Sequence, residues 1–93
     1  MIVGVCTIEL RIRESRSLKT KRQVVKSITS RVKNHFNVAI AEVDYQDKWQ
    51  RALLGIAVVS TAMDHANGTL NKVVNFVESM YLAELLDYHI EFW

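Results

Sequence analysis

IVGVCTIELRIRESRSLKTKRQVVKSITSRVKNHF, residues 2–36, carries two hydrophobic periods in succession, and the change between them decides the fold. Ile2, Cys6, Ile8, Leu10 and Ile12 share one parity with Gly4, while Val3, Val5, Thr7, Glu9, Arg11 and Arg13 take the other. Period two over that length predicts a half-buried strand over 2–13, its even side inward. Glu14-Ser15-Arg16-Ser17 breaks the alternation, and Ser17 is placed to cap a helix. From Leu18 the period becomes 3.6. Leu18, Val24, Val25, Ile28, Val32 and Phe36 gather on one face of a helix over 18–35.

Beyond Phe36 two strands are expected, near 37–46 and 49–60, joined around Gln46-Asp47-Lys48-Trp49. A symmetric turn sets Asp44 opposite Arg51, Val43 opposite Ala52 and Ala41 opposite Leu54. It puts Ala39, Ala41, Val43 and Tyr45 on the core side with Ala52, Leu54, Ile56 and Val58. Val38, Ile40, Glu42 and Asp44 fall on the other side with Arg51, Leu53, Ala57 and Val59. Asp-Lys is a poor two-residue hairpin loop because neither residue readily takes positive φ, so a four-residue loop is expected and the register stays open. Asp64 is a candidate cap for a second helix over about 65–80, with Ala66, Leu70, Val73, Val74 and Val77 in its apolar stripe. Gly68 weakens its first turn by about 1 kcal/mol relative to Ala, which favours a late start. Leu86, Tyr88, Ile90 and Phe92 alternate with polar residues as a last strand.

The order βαββαβ, with right-handed crossovers, folds as an α+β ferredoxin-like sandwich: a four-stranded antiparallel sheet with two helices on one face. Residues 1–93 form one such domain, with no proline, three glycines and no linker. The uncovered sheet face is half apolar, holding Val3, Val5, Val38, Ile40, Leu53 and Val59 on the symmetric register. A monomer rarely exposes such a patch. A homodimer through this face is therefore expected, with Val38, Ile40, Trp49 and Leu53 as its contacts.

Charge is distributed as unevenly as hydrophobicity. Residues 1–36 hold nine basic and two acidic side chains, net +7, and residues 37–93 hold three basic and eight acidic, net −5. At 100° per residue, Lys19, Arg22, Lys26 and Lys33 fall within a sector about 60° wide, away from the apolar face of the first helix. Such a field attracts a polyanion. Arg11, Arg13, Arg16, Lys19, Lys21, Arg22, Lys26 and Lys33 are the candidate phosphate contacts, and RNA or a ribosomal subunit the expected partner. The alternative is a homodimeric interaction module that docks an acidic protein on the same helix.

Other chemistries find little footing. The first strand lacks the base-stacking aromatics of an RNA-recognition motif, and no GXXG loop or Gly-rich phosphate loop is present. A Gly-rich loop after Ile12, as in acylphosphatases of similar size and topology, is likewise missing. On the symmetric register Glu42 and Asp44 leave one side of their strand with Asp47 near, a set that suits a hard cation such as Mg²⁺. Pairing of Asp44 with Arg51 is the stronger expectation, so no metal or cofactor is assigned. The lone Cys6 on an inward parity reads as an inert buried thiol, and His35, His65 and His89 lack metal-ligand spacing. The longest apolar run, Ala52 to Val59, is too short to span a bilayer, and no export signal is recognised. A cytoplasmic, non-catalytic domain is the expectation.

Several stretches resemble the YlxP-like family: Met1-Ile2-Val3-Gly4-Val5, Ser17-Leu18-Lys19-Thr20-Lys21-Arg22, Phe36-Asn37-Val38 and Asn71-Lys72-Val73-Val74-Asn75-Phe76-Val77-Glu78. The most specific is Glu42-Val43-Asp44-Tyr45-Gln46-Asp47-Lys48-Trp49-Gln50-Arg51-Ala52. The resemblance implies a small bacterial ferredoxin-like domain with no established biochemical activity. It also implies a link to translation, because genes of such proteins often neighbour those for initiation and ribosome maturation. It carries over no catalytic residues.

Overall fold

A computed structural model describes all 93 residues. In chain order it holds β1 (Ile2–Arg11), α1 (Leu18–His35), β2 (Ala39–Asp44), β3 (Arg51–Ser60), α2 (Met63–Ser79) and β4 (Glu84–Phe92). The strands form one antiparallel sheet in the order β2-β3-β1-β4, so β2 and β4 are its edges. Both helices cover one face, the ferredoxin-like sandwich expected from the change of period.

The α1 boundaries follow from local chemistry. Ser17 has extended backbone and its hydroxyl accepts the Thr20 N–H at 3.1 Å, satisfying one of the free donors of the first turn. Val25, Ile28 and Val32 bury the apolar stripe. α2 starts earlier than its glycine suggests, at Met63. Asp64 lies in its first turn instead of capping it, and the cap position is Ala62, without a side-chain bond. A carboxylate there still favours the positive end of the helix dipole. Gly68 sits within the helix, with nothing near the place of a Cβ.

The core is a single cluster between sheet and helices. Cys6, Ile8 and Leu10 of β1 and Ala52, Leu54, Ile56 and Val58 of β3 meet the α1 residues and Ala66, Leu70, Val73, Val74 and Val77 of α2. Gly4 is there for space. A Cβ on it would come 2.9 Å from Leu70 Cδ1, so α2 packs against bare backbone.

β2 departs from the symmetric register by one residue. Ala41 pairs with Gly55 and Ile40 with Ile56, and a bulge at Val43 then sets Asp44 opposite Leu53. Because side chains alternate, a slip of one flips the whole strand. Ile40, expected on the open face, is 7% exposed in the core. Ala39 and Ala41, expected inside, face out. A second bulge between Glu9 and Leu10 brings Leu85, rather than Leu86, opposite Leu10. No helix is long and apolar enough to cross a membrane.

Candidate functional site

The eight basic residues singled out in the sequence divide into two groups. Arg16, Lys19, Arg22, Lys26 and Lys33 are exposed, and none takes part in any of the four ion pairs of the fold. Thr20 and Val24 line a cleft with the C-terminal end of α2, and the His35 ring lies 4.4 Å from the Phe76 ring. Lys19, Arg22, Lys26 and Lys33 project from the opposite flank of α1, turned away from α2. That flank is a row of unneutralised cations one or two turns apart.

The other three lie off that flank, and two of them, Lys21 and Arg13, are paired. Lys21, expected to touch phosphate, lies on the core side of α1 and is wholly buried. Its Nζ is 2.7 Å from Glu42 Oε2 and donates to the Tyr45 carbonyl. Arg13 is exposed but bound to Glu84 at 2.8 Å. The Arg13 hydrogen bond holds the Glu84 carboxyl below the usual range, and the arginine is raised in turn. Arg11 is half-buried on the open sheet face, between Arg51 and Glu84 in the ladder.

The β2–β3 hairpin explains much of the specific polar segment in structural terms. Tyr45 takes a left-handed conformation, φ 65°, rare for a bulky residue. Asp44 Oδ1 accepts its N–H at 2.7 Å, and its carbonyl accepts the Lys48 N–H at 2.9 Å. Gln50 Nε2 donates to the carbonyls of Arg13 and Ser15, at 3.1 and 3.2 Å, pinning the β1–α1 loop. Arg51 pairs with Glu9 at 2.8 Å instead of Asp44, its guanidinium 5.5 Å from the centre of the Tyr45 ring. Glu42 turns to the helices and Asp44 to the open side, because the Val43 bulge separates them, so these carboxylates do not converge.

Of the four residues expected at a sheet-face interface, only Leu53 lies on that face. Ile40 is in the core, Val38 packs against it, and Trp49 belongs to the hairpin loop. The face is built instead from Val3, Val5, Leu53, Val59 and Val43, with Ala39, Ala41 and Ala57 between them. Val59 and Val43 are 66% and 52% exposed. Val43 was expected inside, and it faces out with Ala39 and Ala41 because of the one-residue slip of β2.

Remaining candidates are structural. Burial pushes the Cys6 thiol up to about 11, which keeps it protonated and unreactive near neutrality. His65 Nδ1 is 3.0 Å from Ser60 Oγ, which also accepts the Ala62 N–H, a turn leading into α2. No carboxylate bonds the other ring nitrogen. An open cleft of about 750 Å³ separates the β1–α1 loop from the α2–β4 loop, with the Arg13–Glu84 pair among its walls.

The comparisons with known proteins agree with this description. The family described as "Protein of unknown function (DUF503)" matches residues 3–90. A Bacillus subtilis (strain 168) protein, "Uncharacterized protein YlxP", is 44% identical over 78 residues, 84% of this chain and 85% of its own. Among solved structures, the de novo designed protein Foldit4 superposes with a TM-score of 0.55 at 14% identity, covering 100% of this chain and 97% of its own. The designed protein LFR1 1, with ferredoxin fold, gives 0.55 at 14% identity, over 100% of this chain and 83% of its own. At such identities the likeness speaks for the fold alone. The family match and the Bacillus relative, each spanning most of the chain, show that it belongs to the YlxP-like proteins of unknown function, DUF503.

Proposed function

We propose that this protein is a non-catalytic, cytoplasmic RNA-binding domain that holds phosphate backbone, free or in a ribosomal subunit, along the exposed flank of α1. One observation carries the reading: Lys19, Arg22, Lys26 and Lys33, with Arg16 ahead of them, stand on one flank without a carboxylate partner. The fold has carboxylates to spare and uses Glu9, Glu42 and Glu84 on Arg51, Lys21 and Arg13 instead. Unpaired cations in a row are what displacement of counterions from a nucleic acid requires. Contacts of this kind fix position and carry no base sequence. Replacing Lys19, Arg22 and Lys26 by Glu tests it. Association with structured RNA and ribosomal subunits should vanish while the fold persists, and unchanged association would refute the reading.

A second reading rests on Val59 and Val43. Their exposure beside Val3, Val5 and Leu53 makes the open sheet face suited to a second copy of the chain. The dimer is compatible with RNA binding, because the basic flank lies on the helix layer. An acidic protein docked on α1 is the outcome that charge reversal and RNA titration together would reveal.

A further inference from the structure

We infer that Trp49 is a stacking platform for an unpaired nucleotide whose backbone is held by the start of α1, an inference that rests on the RNA reading above. A lone exposed aromatic is ordinary on a protein surface. The place of this one is not. Trp49 is 54% exposed and sits in the loop between β2 and β3, far in sequence from the basic residues. Three contacts bring that loop to the N-terminal end of α1. Lys21 Nζ bonds the Tyr45 carbonyl, the Gln50 side chain bonds the carbonyls of Arg13 and Ser15, and the Ile12 N–H donates to the Gln50 carbonyl at 2.9 Å. The ladder thus runs one residue past the Arg11–Arg51 pair, and Arg13 and Trp49 follow on the two chains. Arg16, Lys19 and Arg22 begin the cationic flank at this same end.

The loop is not itself a phosphate site. Asp47 offsets Lys48 within it, and Asp44 precedes it at the end of β2. What it offers is a flat apolar ring on a backbone held by the Tyr45 turn and by Gln50, so little ordering entropy is lost when a base settles on it. Every base has a π face, and a phosphate groove beside an aromatic ring is the arrangement by which single strands are bound without sequence preference. The sheet-stacking mode of the RNA-recognition motif is absent here, and the loop supplies a different platform.

The test uses the full chain carrying Trp93→Phe, so that tryptophan emission reports Trp49 alone. A single-stranded oligouridylate of about twelve nucleotides should quench that emission saturably; by anisotropy of the end-labelled oligonucleotide, Trp49→Ala should weaken binding by about tenfold or more, with Trp49→Phe keeping most of it. Binding of a blunt RNA duplex should be the same in all three. Unchanged oligouridylate binding in Trp49→Ala, where Lys19/Arg22/Lys26→Glu has lost it, would overturn the stacking role and leave the α1 reading standing. Equal weakening of single strand and duplex would overturn it as well. Binding that survives the triple Glu variant would overturn both.

Discussion

Lys21 Nζ lies 2.7 Å from Glu42 Oε2, the lysine wholly shielded from water and the glutamate nearly so, and the pair locks α1 to the edge strand β2. Two charges taken out of water are tolerated only when opposite charges stand close together, and Lys21 is held further by the Tyr45 carbonyl. A lysine that looks in sequence like one more member of a basic cluster is therefore part of the frame.

Removing one partner leaves the other charge buried and alone. Lys21→Met or Glu42→Leu should each cost about 3–5 kcal/mol in urea denaturation, and the double variant should recover most of that loss. Where Lys21→Met remains folded, its RNA affinity should equal that of the parent. A matching loss of affinity would return Lys21 to the binding surface.

The register of β2 makes Ile40 and Val59 behave differently. Ile40→Asp places a carboxylate among core side chains and should destabilise the fold by about 4 kcal/mol or more. Val59→Asp should change stability by about 0.5 kcal/mol or less. If the open face joins two copies, it should also convert a dimer to a monomer in light scattering. An Ile40→Asp protein as stable as the parent would show that the register is wrong.

Gly4 and Gly55 are both crowded, but not equally. A Cβ on Gly4 meets Leu70 and Val58 at 2.9 and 3.2 Å inside the core, whereas one on Gly55 meets only the half-exposed Val43, at 2.8 Å. Gly4→Ala should cost about 1–3 kcal/mol in denaturation, as overpacked cores do. Gly55→Ala should cost less, because Val43 can turn aside.

Glu84 carries a pH signature. The Arg13 hydrogen bond lowers its pKa in the folded state, so its contribution is complete above the unfolded glutamate value and is lost as pH falls through the lower folded one. The window lies below about pH 4.3. In a carbon-13 NMR titration its carboxyl should have the lower midpoint, and Arg13→Gln should move that midpoint up. Because the pair is exposed, the shift should shrink in high salt.

The sequence made the architecture legible because its two periods are clean: alternation to Ile12, then a helical stripe from Leu18 to Phe36 bounded by Ser17. It was blind to β2. Ala39, Ile40, Ala41 and Val43 are apolar on both parities, so only pairing with β3 and the bulge at Val43 decide which side faces in. The cationic flank was legible as angles on a helix, but the fates of Lys21 and Arg13 were not. Each is set by a carboxylate far along the chain, Glu42 for one and Glu84 for the other. The loop that carries Trp49 is tied to the basic end through contacts of Tyr45 and Gln50 with residues 12–21, which no local pattern reveals.

The salt dependence of RNA binding decides whether the α1 flank holds phosphate. With structured RNA or isolated ribosomal subunits, affinity should fall by about two to three decades between about 50 and 200 mM monovalent salt, the slope for four to six phosphates neutralised. Saturable binding with that slope would support phosphate contact along Arg16, Lys19, Arg22, Lys26 and Lys33. No binding even at the lower salt, or affinity indifferent to salt, would contradict it.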